Sequence, residues 1–259
     1  MRPVLEPDWP LRYDKLGMMV LSEQFEQRKI ESTYGSFRSF VPLPTASGPQ
    51  WTESELETEL LEQLAFSPLV YDLITQPIIY YTLDGESRRY TPDIAVQLNG
   101  TSDDLPQRYL IEVKRQQELL QDPDKHRVRF EVGRACAEQM GAVFRIMDET
   151  QIRSPYLQNA RLLSRYRRLE LTEEEYLGMD VIYAAMPLSI GQAIKVLGRE
   201  GFAEPDARHI LEFAIAGNMI DADLTVALTD QTIITNRGDR RFFVRKDPVL
   251  RRLHDAPDR

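Results

Sequence analysis

The sequence predicts a mixed α/β protein: a core that runs helix, strand, strand, strand, helix, strand, followed by a mostly helical C-terminal domain. Three observations lead there. Residues 53–66 (ESELETELLEQLAF) set leucines at helical spacing. Residues 70–114 are rich in β-branched and aromatic residues, in runs divided by turn signals. Beyond Thr150 the pattern changes to helices that end in short strands. With 259 residues, 42% of them hydrophobic and 28% charged, the chain has room for one large domain or two small ones.

Residues 1–36 carry little pattern and are read as an N-terminal extension, with a short polar helix over Glu23–Glu31. Phe37–Leu43 reads as a strand near a sheet edge because of Pro42, and Thr45–Gln50 as a loop. The first core helix follows, with Thr52 and Glu55 at capping-box spacing. At 100° per residue, Leu56, Leu60, Leu61 and Leu64 fall within one arc of roughly 140°. Glu55, Glu59 and Glu62 fall on the opposite, solvated side. Glu57 falls inside the leucine arc. Two readings stay open for it: a boundary glutamate that snorkels or pairs with an arginine, or an acid aimed at a site on the sheet.

Ser67-Pro68 ends the helix. Val70–Thr82 reads as one or two strands, broken near Gln76-Pro77. The hairpin signal Asp84-Gly85 joins it to a strand over Tyr90–Leu98. A polar loop leads to the strand Tyr109–Lys114. A helix over Lys125–Met140 spaces Val128, Val132, Cys136 and Met140 by four, Gly141 stops it, and Ala142–Met147 is a strand. The implied division is an extension over 1–36, a core domain over 37–150, linker helices over 151–180 and a C-terminal domain over 181–259. In the last of these, helices at Leu188–Leu197 and Asp206–Ala216 precede strands at Leu224–Leu228, Thr232–Asn236 and Arg241–Val244, an order that suggests a winged helix. The run RGDRRFFVRK sets Arg237, Arg240, Arg241, Arg245 and Lys246 around two phenylalanines. It reads either as a wing on a phosphate backbone or as a hairpin with core phenylalanines and solvated basic residues.

Composition narrows the setting. No run approaches 18 apolar residues, so nothing is expected to span a membrane. The N-terminus lacks an apolar signal region, so a cytoplasmic setting is expected. Cys136 is the single cysteine, which leaves no internal disulfide and no cysteine-based zinc site. His126, His209 and His254 show no ligand spacing. Net charge is −9. The acidic excess lies in residues 1–150, with 16 Lys+Arg against 25 Asp+Glu; the remainder has 16 of each. Strong nonspecific binding of DNA by this chain alone is not expected, and an activity on DNA is expected to draw on a partner.

The chemistry sits between Tyr90 and Lys114. Pro92-Asp93 on one strand and Glu112-Val113-Lys114 on the next bring two carboxylates and an ammonium together, if the strands are adjacent. Glu112 and Lys114 share one face of their strand. Carboxylate oxygens suit Mg²⁺, with Mn²⁺ as a substitute, and the lysine can position or deprotonate a water or offset phosphate charge. This PD…ExK pattern, in its order of elements, resembles the PD-(D/E)xK nuclease superfamily and its restriction-endonuclease-like αβββαβ core.

A narrower resemblance rests on longer segments. ESELETELLEQLAF (53–66), Gln76-Pro77, RRYTPDIAV (88–96), YLIEVK (109–114) and AVFRIMDETQIRSPYLQNARLLSRYRR (142–168) together resemble the TnsA family. That is the endonuclease subunit of heteromeric transposases. The resemblance implies that Glu57, Asp93 and Lys114 are catalytic. Glu112, in the common superfamily form, joins them, and Glu57, Asp93 and Glu112 hold the metal. It further implies cutting of the 5′ ends of a transposon, on the non-transferred strands. The implied partners are a DDE-class transposase subunit (TnsB-like), an AAA+ ATPase (TnsC-like) and transposon-end DNA. Two other functions remain: a stand-alone restriction or repair nuclease, and a non-cleaving adaptor between transposase and ATPase.

Overall fold

The computed structural model describes residues 19–20, 26–28, 39–41, 48–99, 108–237 and 247–255. They form two compact units. The first runs to Arg153 and takes back the chain from Val249, and the second is Ser154–Pro248.

The first unit opens with short strands β1 (Met19–Val20), β2 (Glu26–Gln27), β3 (Ser39–Val41) and β4 (Gln50–Thr52). The helix expected over Glu23–Glu31 is therefore a strand where it is described: Glu26 and Gln27 pair with Ile78 and Pro77. Helix α1 (Glu55–Phe66) follows. Its cap is Ser54, which accepts from the Glu57 N–H, two residues later than the Thr52 cap expected. The Thr52 hydroxyl instead meets Thr58 Oγ1 at 2.6 Å. The leucine face is buried as the periodicity requires. The opposite face is not wholly solvated. Glu59 is buried and bonds Arg153 Nε at 2.8 Å, and buried Gln63 donates to the Ile152 carbonyl at 2.9 Å. A helical wheel registers one apolar stripe and cannot register that distant chain covers the other side.

The stretch Val70–Thr82 divides into β5 (Val70–Thr75) and β6 (Pro77–Leu83), which lie in different sheets. Gln76 between them has φ 51°, outside the strand region, and Pro77 has no N–H to continue a ladder. The Asp84-Gly85 turn has both residues at positive φ, as a tight hairpin needs. It joins β6 to β7 (Glu86–Tyr90), not to the strand that carries Asp93. Strand β8 (Ile94–Leu98) starts one residue after Asp93, and β9 (Arg108–Val113) pairs with it antiparallel. A short helix α2 (Gln116–Gln121) and a 3₁₀ turn (Pro123–His126) lead to α3 (Arg127–Gln139) and β10 (Val143–Met147). The main sheet is ordered β10-β9-β8-β5, with β9 and β10 parallel and the other pairs antiparallel.

Helix α3 packs through Phe130, Val132, Ala135, Cys136 and Ala137 against Ile79, Tyr81, Tyr90, Leu110 and Phe144. Val128, expected in that stripe, lies in the helix's first turn and is exposed. Cys136 is buried, and burial pushes its thiol up to about 12, which makes it inert. Small residues let α3 approach closely. A Cβ on Gly133 would lie 2.5 Å from the Phe144 ring and 2.7 Å from the Tyr90 hydroxyl. Glycine to alanine inside a helix ordinarily gains about 0.5–1 kcal/mol. Here Gly133→Ala is expected to lose about 1–3 kcal/mol through overpacking. Urea denaturation checks the sign, and a stabilised variant would refute the close approach.

After α4 (Glu149–Ile152) the chain enters the second unit. It holds α5 (Pro155–Ser164), a 3₁₀ turn (Arg165–Arg168), α6 (Glu173–Ala185), β11 (Leu188–Ser189), α7 (Ile190–Arg199), α8 (Glu204–Ala216), β12 (Ile220–Ala222) and β13 (Ile233–Asn236). Ser189 caps α7 with Gln192 in a capping box. The small sheet is ordered β11-β13-β12, all antiparallel. The strand expected at Leu224–Leu228 is absent. The Asn159 side chain takes up its backbone, donating to the carbonyls of Leu224 and Val226 at 2.9 and 2.7 Å and accepting from the Leu228 N–H at 3.2 Å. The strand expected at Arg241–Val244 lies outside the described residues.

The last element, α9 (Pro248–Asp255), belongs from Val249 onward to the first unit. Val249, Leu250 and Leu253 are buried, Arg145 donates to the Leu253 carbonyl at 2.6 Å, and Arg252 bonds Gln63 Oε1 at 3.1 Å. The second unit is thus an insertion, tied to the first at both of its ends. Among the described residues no helix is long and apolar enough to cross a membrane.

Candidate active site

Asp93 sits where three strands meet. Its N–H donates to the Ile111 carbonyl at 3.0 Å and its own carbonyl accepts from the Gln76 N–H at 2.9 Å. The left-handed turn at Gln76 and the break at Thr91–Asp93 therefore serve one purpose. They hold an aspartate rigidly at the mouth of the sheet, beside the end of β9. Its side chain is nearly closed off from solvent. Oδ2 accepts from the Val113 N–H at 2.7 Å and from Lys114 Nζ at 3.2 Å, and Oδ1 from Gln76 Nε2 at 3.4 Å.

Glu112 is fully buried, and Lys114 Nζ lies 3.3 Å from its Oε2. Asp93, Glu112 and Lys114 are thus brought together. Two further residues complete the cluster. The Tyr90 hydroxyl donates to Glu112 Oε1 at 2.6 Å. From α3, Arg129 Nε bonds both Glu112 oxygens, at 2.8 and 2.9 Å, while Nη2 reaches the Thr91 carbonyl at 2.6 Å. The guanidinium also stands 5.6 Å from the Tyr90 ring centroid. Neither Tyr90 nor Arg129 is part of the PD…ExK pattern. One signal was present: a glycine inside a helix, Gly133, one turn after an arginine, which marks a helix pressed close to its neighbour.

Glu57 comes from the first turn of α1. Its carboxylate closes the cap: Oε1 accepts from Ser54 Oγ and Oε2 from the Glu53 N–H, each at 2.9 Å. It is buried, and burial together with the nearby Asp93 charge raises its pKa to about 7. Burial and Asp93 likewise push Glu112 up, against Lys114 and Arg129. Burial works to lower Lys114, but Asp93 and Glu112 outweigh it and hold the ammonium above its usual range. In the metal-free site Lys114 is accordingly a charged donor to Asp93 and Glu112. Burial raises the Tyr90 phenol well above its ordinary value, with Glu112 adding to the effect, so it remains a donor.

The Glu57 shift fixes a pH dependence. An acid with a raised folded-state pKa binds more protons folded than unfolded between its ordinary value, 4.5, and about 7. Its stabilising contribution is complete below the lower value and lost as pH rises through the upper one. In EDTA, that loss is of the order of 3 kcal/mol from this group. Glu57→Gln should flatten the fall in stability between pH 5 and 8; equal slopes for variant and parent would refute the shift.

A divalent cation can be tested against these donors. Glu57 and Asp93 fit: they are hard oxygen donors, close enough for the Asp93 charge to oppose ionisation of Glu57. Glu112 does not fit in its present bonding, because both of its oxygens are taken by Tyr90, Arg129 and Lys114. Among the described residues no three acidic, histidine or cysteine side chains are arranged to hold a metal ion. Of the basic residues read as a wing, Arg237 follows β13, while Arg240, Arg241, Arg245 and Lys246 lie outside the described residues.

Comparison with known proteins adds an independent finding. No curated protein matches the chain. Residues 67–149 match a family described as the TnsA-like endonuclease N-terminal domain. The matched segment holds Tyr90, Asp93, Glu112, Lys114 and Arg129 and leaves Glu57 outside. The chain therefore carries, over residues 67–149, a TnsA-like endonuclease N-terminal domain.

Proposed function

We propose that this protein is the Mg²⁺-dependent endonuclease subunit of a heteromeric transposase. In this reading it cuts the 5′ ends of the element, on the non-transferred strands. The carrying observation is the contact of Lys114 Nζ with Asp93 Oδ2 at 3.2 Å within the TnsA-like endonuclease domain. The chain order α1, β5, β8, β9, α3, β10 through the main sheet supports a restriction-endonuclease-like core. The order α6, β11, α7, α8, β12, β13 supports a winged helix in the second unit.

Asp93 and Glu57 would hold the divalent ion, which supplies a water of lowered pKa and positive charge at the scissile phosphate. The chain's own residues do the rest. The Val113 N–H and Gln76 Nε2 fix the Asp93 carboxylate before any ligand arrives. Lys114, kept protonated by the two acids, offers a proton donor to a phosphate oxygen and offsets its developing charge. In the metal-free site Tyr90 and Arg129 hold Glu112, which pairs with Lys114; freed from the arginine, Glu112 would join Asp93 and Glu57 on the ion. The partners are a DDE-class transposase, an AAA+ ATPase and transposon-end DNA. A net charge of −9 fits an enzyme delivered to DNA by its partners.

End-labelled transposon DNA with Mg²⁺, with and without the transposase, tests the reading. The expected result is nicking at the 5′ ends, dependent on the partner and lost in Lys114→Ala. Cutting at unrelated sites by this chain alone would point to a stand-alone nuclease. Partner binding without cutting under any condition would make it an adaptor.

A further inference from the structure

The charges around Glu112 are already balanced without a metal. Asp93 and Glu112 supply two negative charges within one cluster; Lys114 and Arg129 supply two positive ones, at 3.2 and 3.3 Å for the lysine and 2.8 Å for the arginine. Lys114 is held against both acids. Arg129 is held differently. Its guanidinium meets Glu112 side-on through Nε, stays 4.0 Å from Asp93, and is anchored to the Thr91 carbonyl just before the Pro-Asp turn. Its side chain is 40% exposed, whereas Glu112 is at 0%. The glutamate is closed off from solvent, and the arginine side chain is not. A divalent ion held by Glu57, Asp93 and Glu112 sets three carboxylates against the ion, Lys114 and Arg129; with Arg129 in place this leaves a net positive charge in a buried site, which is costly, and with Arg129 out it does not.

We propose that Arg129 is a latch on the metal site: it occupies Glu112 and must release it for a divalent ion to bind with full affinity. The inference rests on the metal-dependent reading above and adds a positioning residue to it. An ion then sees Glu112 only in the fraction of molecules whose arginine has swung out, and its apparent affinity falls by that fraction. Binding of nucleic acid would favour release, because a phosphate gives the freed guanidinium another anion.

The test is Mn²⁺ binding to the full chain, followed by calorimetry and by the electron-spin resonance signal of free Mn²⁺. Arg129→Gln removes the latch and is expected to tighten Mn²⁺ binding by roughly tenfold or more. Arg129→Lys keeps the charge but loses the side-on bond and the Thr91 anchor; it is expected to tighten binding by less. The lysine variant decides the matter if the glutamine variant does not fold. A merely structural arginine predicts the reverse, weaker Mn²⁺ binding in both. Binding that is lost in Asp93→Ala but unchanged or weakened in the Arg129 variants would overturn the latch and leave the metal site standing. Absence of Mn²⁺ binding in every form would overturn both.

Discussion

On the proposed function, Asp93→Asn should reduce strand cleavage in the presence of the transposase by about a thousandfold or more, since a divalent ion held by this carboxylate would supply several kcal/mol of barrier lowering. The substitution is chosen to spare the fold. Asparagine retains an oxygen to accept from the Val113 N–H, the 2.7 Å bond that fixes the side chain, and the Gln76 amide can rotate to face the new NH₂. What is lost is charge. Without it Lys114 keeps only Glu112 and the Val113 carbonyl, and Glu57 no longer feels the acid that helps raise its pKa to about 7. Two results should therefore accompany the lost activity: circular dichroism like that of the parent, and a smaller fall in stability between pH 5 and 8. A variant that folds normally and still cuts within tenfold of the parent rate would remove Asp93 from the chemistry.

The convergence of Asp93, Glu112 and Lys114 was legible in the sequence, for a physical reason. Glu112 and Lys114 are two residues apart on a strand, so the alternation of side chains puts them on one face without further information. Asp93 required a guess about strand adjacency, and the antiparallel pairing of β8 with β9 supplies it. Glu57 was visible because a carboxylate in a leucine stripe conflicts with the pattern around it. The illegible parts depend on contacts between distant segments. Arg129 reads as one more basic residue in a polar helix turn, and only the packing of α3 on the sheet turns it toward Glu112. Glu59 reads as solvated because its partner, Arg153, lies 94 residues away. Leu224–Leu228 has the composition of a strand, yet one asparagine side chain satisfies the backbone groups that a neighbouring strand would have paired. The return of α9 to the first unit has no local signal at all.

Removing the Glu112 carboxylate should cost more stability than any other single change in the cluster. The side chain is at 0% exposure and accepts from Tyr90 and Arg129 while pairing with Lys114. Glu112→Ala leaves a buried phenol without its acceptor and sets two cations against Asp93 alone. Breaking a buried ionic network in this way typically costs about 3–5 kcal/mol. The partial exposure of the Arg129 side chain lets one of the two charges turn to water, which favours the lower end. Melting in EDTA should fall by roughly 10 °C. Glu112→Gln keeps the shape and an acceptor for Tyr90 and should lose about 1–2 kcal/mol. The use of EDTA decides between two roles. If Glu112 acts chiefly as a metal ligand, its loss changes metal affinity and leaves the metal-free protein unharmed, or even relieves it of a buried acid. If it is the post that holds Tyr90, Lys114 and Arg129 in place, the metal-free protein is where the damage appears. A Glu112→Ala protein melting within about 2 °C of its parent in EDTA, roughly 1 kcal/mol or less, would exclude the second role and make the bonds around this carboxylate incidental.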